Sequence, residues 1–185
     1  PGQTICSSTS SVALNGIIVN SPGGTWSSSG TGGFTPSAND LSTVYNLSAA
    51  DQASGFTLTL SSDAIGACPP IATDKVFTIT PQAVVDAGTP QTICADASQV
   101  NLSGTSSTIG GEWSTSGTGT FNNLSNLNTF YTPSAADTAA LSVTLTLTST
   151  GNGVCDATTD DVLISFDPVP FVDAGEDIEA CANDI

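Results

Sequence analysis

The sequence has no histidine, no arginine and no methionine, and its only cation is Lys75. Without histidine there is no side chain with an unperturbed pKa near neutrality to activate a serine or cysteine. Paired carboxylates can hydrolyse glycosides, but here the matching acids recur at turns and repeat boundaries. Lys75 is not repeated, because Val162 takes its place in the second copy. No constellation of catalytic groups is present, and the chain reads as a non-enzyme that needs no organic cofactor.

The charge balance excludes more. Seventeen acidic residues against one cation give a formal net charge of -16. Nucleic acid is excluded as a partner, because phosphate binding rests on Lys and Arg. Anionic membrane surfaces repel such a chain. Apolar runs are broken every few residues by Thr, Ser or Gly, far short of the roughly 20 that a membrane helix needs, so no membrane insertion is expected. No signal peptide is recognisable. The chain opens and closes inside repeat units, which reads as a segment of a longer polypeptide.

What is present is a repeat. "GTWSSSGTGGF" at 24–34 returns as "GEWSTSGTGTF" at 111–121, with Trp113 87 positions after Trp26. "PGQTIC" returns as "TPQTIC" at 89–94 and, degraded, as "EDIEAC" at 176–181. "VYNLSAAD" (44–51) matches "FYTPSAAD" (130–137), and "AVVDAG" (83–88) matches "PFVDAG" (170–175). This register divides the chain into a first unit (1–88), a second (89–175) and the opening of a third (176–185).

Within each unit the period is that of strands. Phe56, Leu58 and Leu60 alternate with Thr57, Thr59 and Ser61, and Val143, Leu145 and Leu147 alternate with threonines. One face is apolar and the other hydroxylated, as in an antiparallel sheet buried on one side. "SAADQASG" and "SAADTAAL" fit one helical turn at a corner. Seven short strands in about 87 residues predict an all-β architecture of tandem immunoglobulin-like Greek-key sandwiches. Trp26 and Trp113 fall on the third strand, each as the largest side chain of its own core. The Ser/Gly/Thr tract after each Trp is a turn rather than a phosphate loop, since it lacks the lysine and the helix such a loop requires.

Five cysteines occupy repeated positions without Cys-x-x-Cys spacing, which favours disulfides in an oxidising compartment over a metal site. Pairing within units, Cys6–Cys68 and Cys94–Cys155, is the preferred reading. Each bridge would close a loop of some 60 residues and stabilise by roughly 4 kcal/mol. Cys181 is then left for a partner outside the segment. If "QTIC" ends its strand at the far pole, a bridge between units such as Cys6–Cys155 is the alternative.

Asp86 and Asp173, in the repeated "VDAG", are weak calcium candidates, with Asp51 and Asp137 or Asp74 and Asp161 as further carboxylates. The competing reading, a turn plus surface acids for solubility, is preferred. Asn46, Asn101 and Asn123 each open an Asn-x-Ser sequon.

Taken together, "VDAGTPQTICADASQVNLSGT", "GGEWSTSGTGTF", "FYTPSAAD", "VTLTLTSTGNGVC" and "DDVLISFDPVP" resemble the tandem immunoglobulin-like, PKD-like repeats of very large surface adhesins of Bacteroidetes, including flavobacterial gliding-motility adhesins. The resemblance implies export to the bacterial cell surface by the type IX route and a role as a stalk or filament. Its partners would be neighbouring repeats of the same chain, other copies in a filament, and surface glycans. It also implies a candidate O-glycan on Thr138, within Asp137-Thr138-Ala139. The alternative function is a carbohydrate- or surface-binding module, in which exposed Tyr45 and Tyr131 or the Asn-rich "NNLSNLN" (122–128) would form the ligand face.

Overall fold

The computed structural model describes residues 2–176, so Cys181 and nearly all of the third-unit opening lie outside the described residues. The first unit runs β1 (Gln3–Cys6), β2 (Ser11–Asn15), β3 (Gly24–Ser28), β4 (Gly33–Thr35), β5 (Ser42–Asn46), α1 (Ala49–Ser54), β6 (Phe56–Ser62) and β7 (Ala72–Thr80). The second continues through β8 (Val85–Asp86), β9 (Gln91–Cys94), β10 (Val100–Ser103), β11 (Thr105–Ser106), β12 (Gly110–Thr115), β13 (Thr120–Phe121), β14 (Asn128–Thr132), α2 (Ala135–Ala139), β15 (Ser142–Thr150) and β16 (Thr159–Asp167).

Each unit is a sandwich of a four-stranded and a three-stranded sheet. The orders are β1-β7-β6-β3 with β2-β5-β4, and β12-β15-β16-β9 with β10-β14-β13. The strand alternation fixes which side chains face inward: Phe56, Leu58 and Leu60 on β6 and Val143, Leu145 and Leu147 on β15 are buried. Burying side chains of this kind stabilises by roughly 1.5–3 kcal/mol each. Two separate cores result. Trp26 packs with Val12, Leu14, Tyr45, Phe56 and Phe77, and Trp113 with Val100, Leu102, Tyr131, Leu147 and Ile164. The expected immunoglobulin-like fold, the third-strand tryptophans and the helical turns at both corners are all observed.

Two features depart from the sequence reading. The first strand of each unit pairs parallel with the last, Cys6 opposite Thr80 and Cys94 opposite Asp167. Parallel pairing puts the end of the first strand and the end of the last at one pole. The loop before the last strand, which holds Cys68 or Cys155, lies at the other. Residues 83–88, counted with the first unit on sequence, lie on the second: Val85–Asp86 pairs antiparallel with Thr105–Ser106, and Ala87 is buried in the second core. Gly88, at φ +91°, and Pro90 two residues on separate this segment from β9.

Candidate functional site

The most perturbed titratable groups form a buried knot present once per unit. Ser48 caps α1 and bonds the Asp51 amide, while Asp51 reaches back to the Ser48 amide at 3.0 Å, a reciprocal capping box. The Asp51 carboxylate also accepts from the Thr31 amide at 3.0 Å, the Gly32 amide at 2.9 Å and the Tyr45 hydroxyl at 2.9 Å. In turn the Tyr45 oxygen accepts from Ser28 Oγ at 2.7 Å and from the Gly32 amide at 2.9 Å. The second unit repeats the arrangement. Asp137 accepts from Thr118, Gly119, Ser134 and Tyr131, and Tyr131 accepts from Thr115.

Burial pushes each carboxyl upward, but the N–H groups of Ser48 and Thr31 and the Tyr45 hydroxyl outweigh it and hold Asp51 below the usual carboxylate value. The same balance holds Asp137 down to about 2. Burial, reinforced by the adjacent carboxylate, raises both tyrosines. With both carboxylate oxygens bonded to fixed donors inside the protein, the knot ties the glycine tract to the helical corner.

This geometry corrects one expectation: Tyr45 and Tyr131 are both 0% exposed, so they form no ligand face. Tilted ring contacts with Phe34, Phe56 and Phe121 hold them inside. The Asn-rich loop 122–128 has a backbone counterpart at 36–41 in the first unit, which is not Asn-rich. Leu124 O accepts the Trp113 amide and Leu127 O its indole, just as Ala38 O and Leu41 O serve Trp26.

The calcium candidates are not brought together. Asp51 and Asp137 are buried in different units with their oxygens already bonded, because capping a corner helix requires an acid facing inward. Asp86 and Asp173 each close a turn on Gly88 and Gly175. Among the described residues no cluster of three metal-ligating side chains occurs. Thr138 lies within α2, its hydroxyl directed back to the Ala135 carbonyl at 3.2 Å, and the preceding Asp137 is the capping acid.

The other concentration of unusual chemistry is the junction. Cys6 bonds Cys155, with a Cα–Cα distance of 4.9 Å, while Cys68 and Cys94 are free and exposed. The preferred pairings Cys6–Cys68 and Cys94–Cys155 are therefore overturned. The reason is the parallel first strand, which puts the two sulfurs of one unit at opposite poles. Around the bridge the Gln82 side chain donates to Asp156 O at 2.8 Å, Thr158 donates to Ala83 O at 3.0 Å, and the Ala87 amide donates to Asp160 at 2.7 Å. Val84 and Ser107 exchange bonds in both directions at 2.9 Å. The connection is a docked strand, not a tether.

Neither the protein-family models nor the curated proteins contain a match to this sequence. Similar solved structures are multi-domain fragments. Drosophila OTK extracellular domains 3–5 superpose with TM-score 0.50 at 10% identity, over 90% of this chain and 59% of that one. A three-immunoglobulin-domain structure of titin gives 0.48 at 12%, over 90% and 62%. The EC1-2 fragment of human protocadherin-24 gives 0.43 at 15%, over 91% and 95%. The chain thus spans about three-fifths of the OTK and titin structures. The OTK likeness supports the immunoglobulin-like fold.

Proposed function

We propose that this chain is a stalk segment of a secreted bacterial cell-surface adhesin, whose task is to extend a binding tip away from the cell or to carry attachment and gliding forces along a filament. One observation carries the reading: the connection between units is covalently bridged by Cys6–Cys155 and sheathed by the strand 83–88 paired onto the second sandwich. A connection that served only to join binding modules would need neither. Junctions fixed in this way make reach proportional to the number of units, at roughly 30 Å for a nine-residue strand. The disulfide fits an oxidising compartment outside the cytoplasm, and the repeat motifs supply the resemblance to Bacteroidetes adhesins and their type IX export.

Electron microscopy of the parent protein purified from the cell surface tests this. A beaded fibre with a repeat near 30–40 Å is expected. A compact particle, or a parent confined to the cytoplasm, would overturn it.

A further inference from the structure

The first unit carries an open groove of about 470 Å³ where the second unit is filled. It is lined by Ile17, Ile18, Val19, Ile65, Cys68 and Ile71. Ile17, Val19 and Ile71 are 85%, 74% and 76% exposed, an unusual cost for aliphatic side chains on a folded domain. In the repeat register these positions correspond to residues that hold the strand 83–88 on the second unit. Gly16 and Gly104 are equivalent, each packed on the unit's Leu and Trp, so Ile17, Ile18 and Val19 stand where Thr105, Ser106 and Ser107 pair with Asp86, Val85 and Val84. Ile71 bonds Ser62 as Thr158 bonds Ser149, and Thr158 holds Ala83 O.

The cysteines match in the same way. The Cys68 amide bonds Ile65 O as the Cys155 amide bonds Asn152 O. Gly66 and Gly153 share a left-handed backbone, φ +57° and +61°. Beside Gly153 stands Thr80, and beside Gly66 there is nothing within 4 Å. At the other end of the chain the matching segment is bare: Phe171 and Val172 are 86% and 92% exposed. Cys94 there ends its strand in the turn that Cys6 uses, with the Ala97 amide on Cys94 O as Thr9 is on Cys6 O.

We infer that the groove around Cys68 receives an extended strand of the 81–88 type from a further unit of this repeat joined ahead of the first, whose first-strand cysteine forms a disulfide with Cys68. The inference rests on the observed junction and stands whether or not the chain serves as a stalk. Each thiol gives up its proton, and the two electrons pass to a small-molecule disulfide such as oxidised glutathione. Thiolate attack first makes a mixed disulfide, which the second thiolate resolves, so that two glutathione thiols leave.

The test is a chain carrying a duplicate of residues 1–88 ahead of residue 1, with Cys181→Ser to remove the thiol outside the described residues. It is refolded in a glutathione redox buffer and mapped after cleavage at acidic residues under non-reducing conditions. The duplicate's Cys6 should appear linked to Cys68, maleimide labelling of Cys68 should fall at least tenfold, and amide exchange at 17–19 should slow at least tenfold. A Cys68 that stays free and reactive while Cys6–Cys155 forms in the same molecules would overturn the inference. So would Cys94–Cys68 links between copies of the unextended chain at comparable yield, which would give the groove to a second copy.

Discussion

Tyr131 donates its hydroxyl to Asp137 Oδ2 at 2.8 Å, six residues further along, and Tyr45 does the same to Asp51 at 2.9 Å. Each pair closes a ring of bonds in which the tyrosine oxygen also receives the amide of Gly119 or Gly32. Tyr131→Phe takes one donor from the buried Asp137 carboxylate and the acceptor from the Thr115 hydroxyl, while the Gly119 amide keeps Asp137 Oδ2. A loss of about 1–3 kcal/mol is expected, which for a unit of this size lowers Tm by about 4–8 °C per kcal/mol. Calorimetry of Tyr131→Phe and Tyr45→Phe measures it.

Acid should act through the same knot. Asp137 is held at about 2 in the folded protein against an ordinary 3.8. Its folded pKa is depressed, so its contribution is present above 3.8 and is lost as pH falls toward 2. Asp51 is lowered in the same direction. Denaturant unfolding from pH 5 to pH 2 should show stability falling across that window, and Asp137→Asn should flatten the slope.

The glycine tract makes a sharp internal contrast. A Cβ on Gly30 would fall on the Asp51 carboxylate, and one on Gly117 on that of Asp137, whereas at Gly33 nothing lies within 4 Å. Gly30→Ala and Gly117→Ala should each destabilise by about 1–3 kcal/mol through overpacking. Gly33→Ala should stay within about 0.5 kcal/mol of the parent. Urea midpoints for the three variants settle the comparison.

Calcium should leave the protein unchanged. The buried carboxylates of Asp51 and Asp137 already accept four amide and hydroxyl donors each, and Asp86 is engaged with the Gly88 amide. Melting curves with millimolar calcium and with chelator are expected to superpose.

Sequence periodicity was enough to place the strands and both tryptophans, because the alternation at Leu58 and Leu60 or Leu145 and Leu147 has one physical reading. The knot was hidden because an acid in a Ser-Ala-Ala-Asp corner reads as solvent-exposed. The available signal was the tyrosine six residues before each capping aspartate. The Cys6–Cys155 bridge is the pairing that the sequence offered as the alternative, and choosing it depends on the parallel pairing of β1 with β7, a long-range feature that no local pattern records. Residues 83–88 follow β7 in sequence and so read as its continuation. Only the pairing with Thr105–Ser106 assigns them to the next sandwich.

Cys68 and Cys94 are exposed thiols at the two outer poles of the described pair, so they report directly on whether successive units stand end to end. Spin labels on both, in Cys181→Ser, should give a single narrow distance near 60 Å, the sum of two unit lengths at roughly 30 Å each. Reduction of Cys6–Cys155 should broaden it. A broad distribution in the oxidised protein, or a peak below about 40 Å from units lying side by side, would contradict the account.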